Sequence, residues 1–340
     1  MLVGVILGVI FVTPLVVLYA LIIRWSDRFE PEPWWLVTLA FLYGALFATV
    51  GGGVSSGAIE SVLAAATGAE EKAPWLQDLG ATVLAPVFEE GAKGVGVALI
   101  ALASALGLKE LDGPLDGAIY GGIIGLGFTL TEDILYVASA YAEGGFVGFA
   151  FLLFLRTVVL GLSHCTFTAC TGIGFGLAVE LRSWPLKLLF PVMGYGAAVM
   201  MHAMHNGLPT FFGGGGVVLM ILISLVIDVL FFVILALLVT RDRAIVIREL
   251  LGEVGGLLHP RELQLVSSYF ELGIKNTTIL FSKGWRHFSF RRRKQLALVD
   301  LAFVKARRRR GENGADLDVR ERELRAAIHL ANRRGIWIGT

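Results

Sequence analysis

An apolar stretch from Asp78 to Leu106 reads DLGATVLAPVFEEGAKGVGVALIALASAL, long enough to cross a lipid bilayer as one helix. Its centre carries two carboxylates and an ammonium, those of Glu89, Glu90 and Lys93. One ionisable group in the middle of a span costs roughly 2.5 to 3.5 kcal/mol, so three within five residues indicate a functional site. Helical spacing places Glu89 and Lys93 one turn apart, which predicts an ion pair that neutralises one acid and leaves the other free to react.

The composition outside this stretch predicts an all-α polytopic membrane protein. Of the 340 residues, 56% are hydrophobic and 17% are charged, and the mean hydropathy of +0.73 excludes a water-soluble globule. Residues 1–240 contain 8 Lys/Arg and 17 Asp/Glu, whereas residues 241–340 contain 21 and 11. We therefore predict a transmembrane domain at 1–240, with about seven to eight spans, and a basic helical domain at 241–340. Spans are predicted at 2–23, 34–66, 78–106, 117–139, 146–180, 186–210 and 217–240.

The cations between the spans predict the orientation of the chain. The segment 146–180 is too long for one ordinary span, and its weak point at Gly161-Leu162-Ser163 predicts a surface-lying or re-entrant piece before a true span from about residue 159. If this segment crosses an odd number of times, the N-terminus lies outside and the tail is cytosolic. Alternate connections carry Arg24, Arg28, Lys109, Arg182, Lys187, Arg241, Arg243 and Arg248, and the opposite ones carry only Lys72.

The basic tail predicts contact with lipid. The clusters Arg291–Lys294 and Arg307–Arg310 suit the headgroups of anionic lipids, and the alternative is a solvated cytosolic face. No nucleic acid is expected as a partner, because the tail contains no known nucleic-acid-binding module. Nothing in the sequence predicts the oligomeric state.

Four pairs of intramembrane residues have the same spacing, with the second residue four positions after the first. This spacing puts both members of a pair on one helix face. Measured at about 1.5 Å per residue, all four lie in or near the outer half of the bilayer core, which predicts one shared cavity. Each pair alone is also explained by helix packing, and so are Cys165, Cys170 and Asp228. The four pairs are Glu89 with Lys93, Phe128 with Glu132, His164 with Thr168, and His202 with Asn206.

This order of motifs resembles the PrsW family of intramembrane proteases, which is related to the CAAX prenyl endopeptidases and the bacteriocin-processing membrane proteases. The match consists of EExxK at Glu89–Lys93, FxxxE at Phe128–Glu132, a histidine at His164 and HxxxN at His202–Asn206, within residues 30–240. The resemblance implies site-1-type cleavage of a membrane protein substrate in a bacterial plasma membrane, with a membrane-anchored anti-sigma factor as one substrate class. A second histidine, His205, departs from the pattern.

Peptide hydrolysis requires a base for water, a proton donor and oxyanion donors. Glu89 or Glu90 is the expected base, and Glu89 is slightly favoured because Lys93, one turn away, can orient it. His202 and Asn206 are the expected oxyanion donors. Glu132 and His164 would hold the water or position the imidazoles. We favour this glutamate-type mechanism without a cofactor. The alternative is a zinc ion on Glu132, His164 and His202.

Two further function classes remain open at this stage. A proton- or cation-coupled transporter or channel would use the same buried carboxylates and histidines, and it predicts flux without cleavage. A non-catalytic membrane scaffold would use the polar groups only for helix packing.

Overall fold

The structure is a computed structural model that describes residues 1–27, 29–70 and 73–338. Arg28 and Lys72, which entered the orientation prediction, lie outside these residues. The described chain is helical and contains no strand, which confirms the predicted all-α class. Contacts divide it into two compact units, one of Met1–Ser26 with Glu32–Leu235 and one of Asp27–Pro31 with Ala236–Thr340.

The helices are numbered in chain order. The first unit contains α1 (Leu2–Ser26), α2 (Trp34–Leu42), α3 (Thr49–Thr67), α4 (Pro74–Leu79), α5 (Ala85–Ala103), α6 (Pro114–Leu152), α7 (Ser163–Glu180) and most of α8 (Trp184–Leu250). Wider π-helical turns lie at Tyr43–Ala48, Gly80–Leu84, Ser104–Leu108 and Leu153–Val159. The second unit contains the end of α8, a 3₁₀ turn at Leu251–Glu253, and helices α9 (Pro260–Val266), α10 (Glu271–Arg309) and α11 (Ala315–Arg333).

Two glycines convert α6 and α8 into helical hairpins. Gly145 and Gly213 have φ angles of 60° and 55°, a conformation that favours glycine and stops the helix. Beyond each glycine the chain folds back on itself. A Cβ at Gly148 would lie 2.7 Å from the carbonyl oxygen of Ala140, and one at Gly216 would lie 1.9 Å from that of Leu208. Five helical stretches of the described chain are long and apolar enough to span a membrane, and the breaks at Gly145 and Gly213 divide them into seven segments. The stretches are Leu2–Ser26, Trp34–Thr67, Pro74–Leu108, Pro114–Glu180 and Trp184–Glu253.

The return segment 146–180 runs antiparallel to α6 along its whole length. Arg156 contacts Asp133 before the turn, and a Cβ on Gly125 would lie 2.2 Å from the carbonyl oxygen of His164. The helix is interrupted at 160–162, which overlaps the predicted weak point at Gly161-Leu162-Ser163, and α7 then begins at Ser163. The segment therefore packs along α6 on both sides of this break.

The first sixteen residues of α6 form the centre of the first unit. Every residue from Pro114 to Thr129 is buried, and the segment packs against α1, α2 and α7. Glycines on this helix let the neighbouring backbones approach closely, as at Gly117, where a Cβ would lie 2.0 Å from the carbonyl oxygen of Gly172. This buried segment therefore holds Phe128 in place, and Glu132 follows one turn later on the same helix.

Candidate active site

Four helices bring the predicted motifs together around Glu90. The side chain of Glu90 is completely buried on α5. Its Oε1 accepts a hydrogen bond from Lys93 Nζ at 2.7 Å and lies 3.0 Å from His202 Nδ1 on α8. Its Oε2 accepts a hydrogen bond from Thr168 Oγ1 on α7 at 3.1 Å. These partners supply both the countercharge and the hydrogen bonds that a buried carboxylate requires.

Lys93 and His164 continue this network to Glu132. Lys93 Nζ lies 3.1 Å from His164 Nδ1 and 3.6 Å from the centre of the Phe128 ring. An ammonium group can only donate hydrogen bonds, so Nδ1 of His164 accepts and Nε2 carries the proton. His164 Nε2 then donates to Glu132 Oε2 at 2.8 Å. Lys93 thereby fixes the tautomer of His164.

Arg156 holds Glu132 in place from the other side. Its Nη2 lies 2.6 Å from Glu132 Oε2 and its Nε lies 2.9 Å from Asp133 Oδ1. Thr157 Oγ1 donates to Asp133 Oδ2 at 2.8 Å, and the guanidinium covers the ring of Tyr136 at 3.8 Å. The sequence did not assign roles to Asp133 and Thr157, because only the turn at residue 145 brings the two segments together.

Glu89 is the acid that the network leaves available. Its Oε2 is buried, has no hydrogen-bond partner among the described residues and lies 3.8 Å from His202 Nε2. The predicted pairing of Lys93 with Glu89 is wrong, since Lys93 pairs with Glu90 three residues before it. The physical reason is that Glu90 faces Thr168 and His202, and together with Lys93 they can neutralise and solvate one buried carboxylate.

Asn206 and His205 lie beside the network and are not hydrogen-bonded to its carboxylates in the described chain. Asn206 Nδ2 donates to the carbonyl oxygen of Ala81 at 2.9 Å, in the π-helical turn that precedes α5. His205 Nδ1 lies 3.1 Å from Ser224 Oγ, and its ring contacts Phe167. His202 is therefore the imidazole that joins the two glutamates.

A small cavity lies between His205 and Arg156. Its volume of about 20 Å³ is enough for one water molecule. Its lining includes polar side chains from α6, from the π-helical turn at Leu153–Val159, and from α7 and α8. These are Thr129, Asp133, Arg156, Ser163, His164 and His205.

A metal ion would find a suitable donor set at the centre of the network. Glu90, His164 and His202 each offer one ligand atom, and these atoms lie within 4.8 Å of one another. Two imidazoles and one carboxylate fit zinc by donor type. The set differs from the predicted one, because Glu90 takes the place of Glu132. The Lys93 ammonium contacts Glu90 and His164, so a zinc ion could bind there only if this ammonium moved away or lost its proton.

Comparison with known proteins identifies a family for this chain. A family model described as PrsW family intramembrane metalloprotease matches residues 32–238, about three fifths of the chain. No curated protein and no solved structure matches. The matched region contains every residue of the network described above, and the chain accordingly belongs to the PrsW family of intramembrane proteases.

Proposed function

We propose that the protein hydrolyses a peptide bond of a membrane protein substrate with a water molecule activated by Glu89. The observation that carries this proposal is the buried Oε2 of Glu89, which faces His202 Nε2 at 3.8 Å and has no hydrogen-bond partner among the described residues. An unsatisfied carboxylate oxygen in a polar cluster is costly to maintain unless it has a functional partner.

The tautomer of His202 supports this role of Glu89. Nδ1 of His202 lies 3.0 Å from the Glu90 carboxylate, so Nδ1 donates and Nε2 of the neutral ring accepts. Glu89 Oε2 and His202 Nε2 are then two acceptors at a distance that one water molecule can bridge by donating a hydrogen bond to each. Both acceptors draw protons from the same water, which increases its nucleophilicity.

The later steps use the same side chains. Glu89 takes one proton from the attacking water and can pass it through His202 Nε2 to the nitrogen of the amine that leaves, which returns Glu89 to its carboxylate form. The amide of Asn206 has two N–H donors, and only one is needed for the carbonyl oxygen of Ala81. The second is available to the oxyanion, a contact that contributes about 100- to 1,000-fold to the rate in other enzymes.

Lys93 supports the glutamate mechanism over a zinc mechanism, because it already satisfies two of the three zinc-compatible donor atoms. A zinc ion held by Glu90, His164 and His202 would supply a Lewis acid for water and for the peptide carbonyl. Dialysis of the purified protein against a chelator separates the two mechanisms. The glutamate mechanism predicts unchanged cleavage. If cleavage is lost and added zinc restores it, the zinc mechanism is correct and the glutamate mechanism is not.

We further propose a bacterial plasma membrane with the N-terminus outside, the tail cytosolic and cleavage in the outer half of the bilayer. A membrane-anchored anti-sigma factor is the substrate class that fits such site-1-type cleavage. A cysteine introduced at Ala69 should then react with an impermeant reagent from outside, and one introduced at Val319 should not. The opposite labelling pattern would invert the topology.

The decisive experiment is cleavage of a single-span reporter that carries a short extracytosolic juxtamembrane segment. Purified wild type should cleave it, and Glu89→Gln should lose at least about 100-fold in rate, the lower range for a general base. The matched control is Glu143→Gln, because Glu143 is an exposed acid elsewhere in the first unit. Glu89→Gln that remains folded and cleaves like wild type would exclude Glu89 as the base.

A further inference from the structure

The tail contains a helical hairpin that the proteolytic site does not explain. Helix α10 is interrupted at Gly284, whose φ of 80° favours glycine. Asn276 and Gln295 exchange two amide hydrogen bonds, of 3.0 and 2.8 Å, across this break. The two arms therefore lie side by side, and Gly284 lies at the tip.

The hairpin is basic throughout and aromatic at its tip. Residues 272–299 contain seven Lys/Arg and no Asp or Glu. The tip, residues 281–287, reads FSKGWRH, and each of its residues is exposed. Phe281 is 85% exposed and Trp285 is 70% exposed. Two large aromatic side chains in water beside cations are typical of a surface that binds a partner.

The most conspicuous cationic clusters of the tail are occupied by internal contacts. Lys294 is buried and pairs with Glu262 on α9. Arg308 and Arg309 lie 3.2 and 3.1 Å from Glu321 and Glu249. These pairs reduce the charge that the predicted lipid-binding clusters present to a partner.

The cations at the hairpin tip do not form ion pairs of this kind in the described chain. Lys283 and Arg286 have no acidic partner among the described residues. Both line a cavity of about 600 Å³ together with Arg334 and the aromatic residues Phe290 and Trp337, and no acidic side chain lines it. This cavity has the size and charge to accept a phosphate group with its substituents.

We propose that the hairpin tip binds the surface of a lipid bilayer that contains anionic phospholipids. Phe281 and Trp285 enter the interfacial region, where aromatic rings are favoured, and Lys283 and Arg286 contact the lipid phosphates. A bilayer suits the tip better than a nucleic acid, because the chain is a membrane protein and its tail is tethered near lipid at a high effective concentration.

The test uses full-length protein in phosphatidylcholine nanodiscs with or without phosphatidylglycerol. Ser282→Cys, in a Cys165→Ala/Cys170→Ala background, carries an environment-sensitive fluorophore at the exposed tip. The expected result is a blue shift of its emission in the anionic nanodiscs, together with quenching by lipids spin-labelled near the headgroup. Emission typical of water in both lipid mixtures would overturn the proposal, and so would an equal blue shift in both.

Variants test whether the blue shift depends on the residues of the tip or on the net charge of the tail. Lys283→Glu/Arg286→Glu should abolish the shift, as should Phe281→Ser/Trp285→Ser. The matched control is Arg322→Glu/Arg333→Glu, which makes the same change of net charge at exposed positions of α11 and should retain the shift. Retention in the tip variants, or loss in the control, would contradict a site at the tip. If a short DNA duplex causes the blue shift in nanodiscs of phosphatidylcholine alone, the partner of the tip is nucleic acid and not lipid. The readout does not depend on proteolysis.

Discussion

The ammonium of Lys93 lies 2.7 Å from Oε1 of Glu90, and neither side chain has any exposed surface. Thr168 and His202 complete the hydrogen bonds of the carboxylate, and His164 accepts from the ammonium. An ion pair removed from water in this way is tolerated only while both partners and their hydrogen bonds are present. The pair consequently links α5 to α7 and α8 and sets the geometry around Glu89.

Lys93→Met should destabilise the protein strongly, because it leaves the buried Glu90 carboxylate without its countercharge. We expect a loss of about 3–5 kcal/mol in the free energy of unfolding, the usual result of removing one partner of a buried pair. Thermal unfolding of the purified protein in detergent measures this effect.

The compensating control is Lys93→Met combined with Glu90→Gln. Removal of both charges should recover most of the lost stability while cleavage remains impaired. A single Lys93→Met variant with the unfolding temperature of wild type would contradict this structural role of the pair.

The convergence of the four motifs was predictable from the sequence, whereas the pairing within them was not. Spacing of four residues fixes a shared helix face, and distances along the spans fix a common depth, so a single cluster could be expected. Glu89 and Glu90 are both within reach of Lys93 along the helix. The choice between them is made by Thr168 and His202, which only tertiary packing brings beside Glu90.

The partners of Glu132 could likewise not be predicted from spacing along the sequence. Arg156 lies 24 residues after Glu132, and the sequence left two equal interpretations of it, a cation partner for the cavity or an interfacial cation that only extends toward water. The helix reversal at Gly145 brings it back to within 2.6 Å of that carboxylate. A hairpin made by one glycine with positive φ has no periodic signal, so spacing arguments do not reveal the contact.

His202→Gln and His205→Gln should have different effects, although the two residues are three positions apart on α8. His202 lies between both glutamates, so its replacement should reduce kcat by about 100-fold or more. His205 contacts Ser224 and has no carboxylate partner in the described structure, so its replacement should preserve most of the activity. The two variants serve as controls for each other, and a larger loss from His205→Gln would reverse the assignment.

Arg156→Lys should lower kcat and leave KM for the reporter nearly unchanged. A lysine retains the charge but cannot contact Glu132 and Asp133 at once with the fork geometry of a guanidinium. Glu132 would then orient His164 less firmly. We expect a loss of about tenfold in kcat, the scale for a displaced supporting group.

Steady-state cleavage kinetics and thermal unfolding together test this positioning role of Arg156. A fall in unfolding temperature without a change in kcat would make the residue purely structural. Arg182→Lys is the control, because Arg182 lies outside the network and should behave like wild type.

Gly52→Ala should impair cleavage because α3 passes directly against Glu89. A Cβ on Gly52 would lie 2.8 Å from Cγ and 2.9 Å from Cα of Glu89, so one helix must shift. Alanine by itself favours a helix over glycine by about 1 kcal/mol, so loss of helix propensity cannot explain a defect. We expect kcat to fall by about ten- to 100-fold. The control is Gly53→Ala, where a Cβ meets no atom of the described structure within 4 Å, and equal activity of the two variants would show that the approach of α3 does not position Glu89.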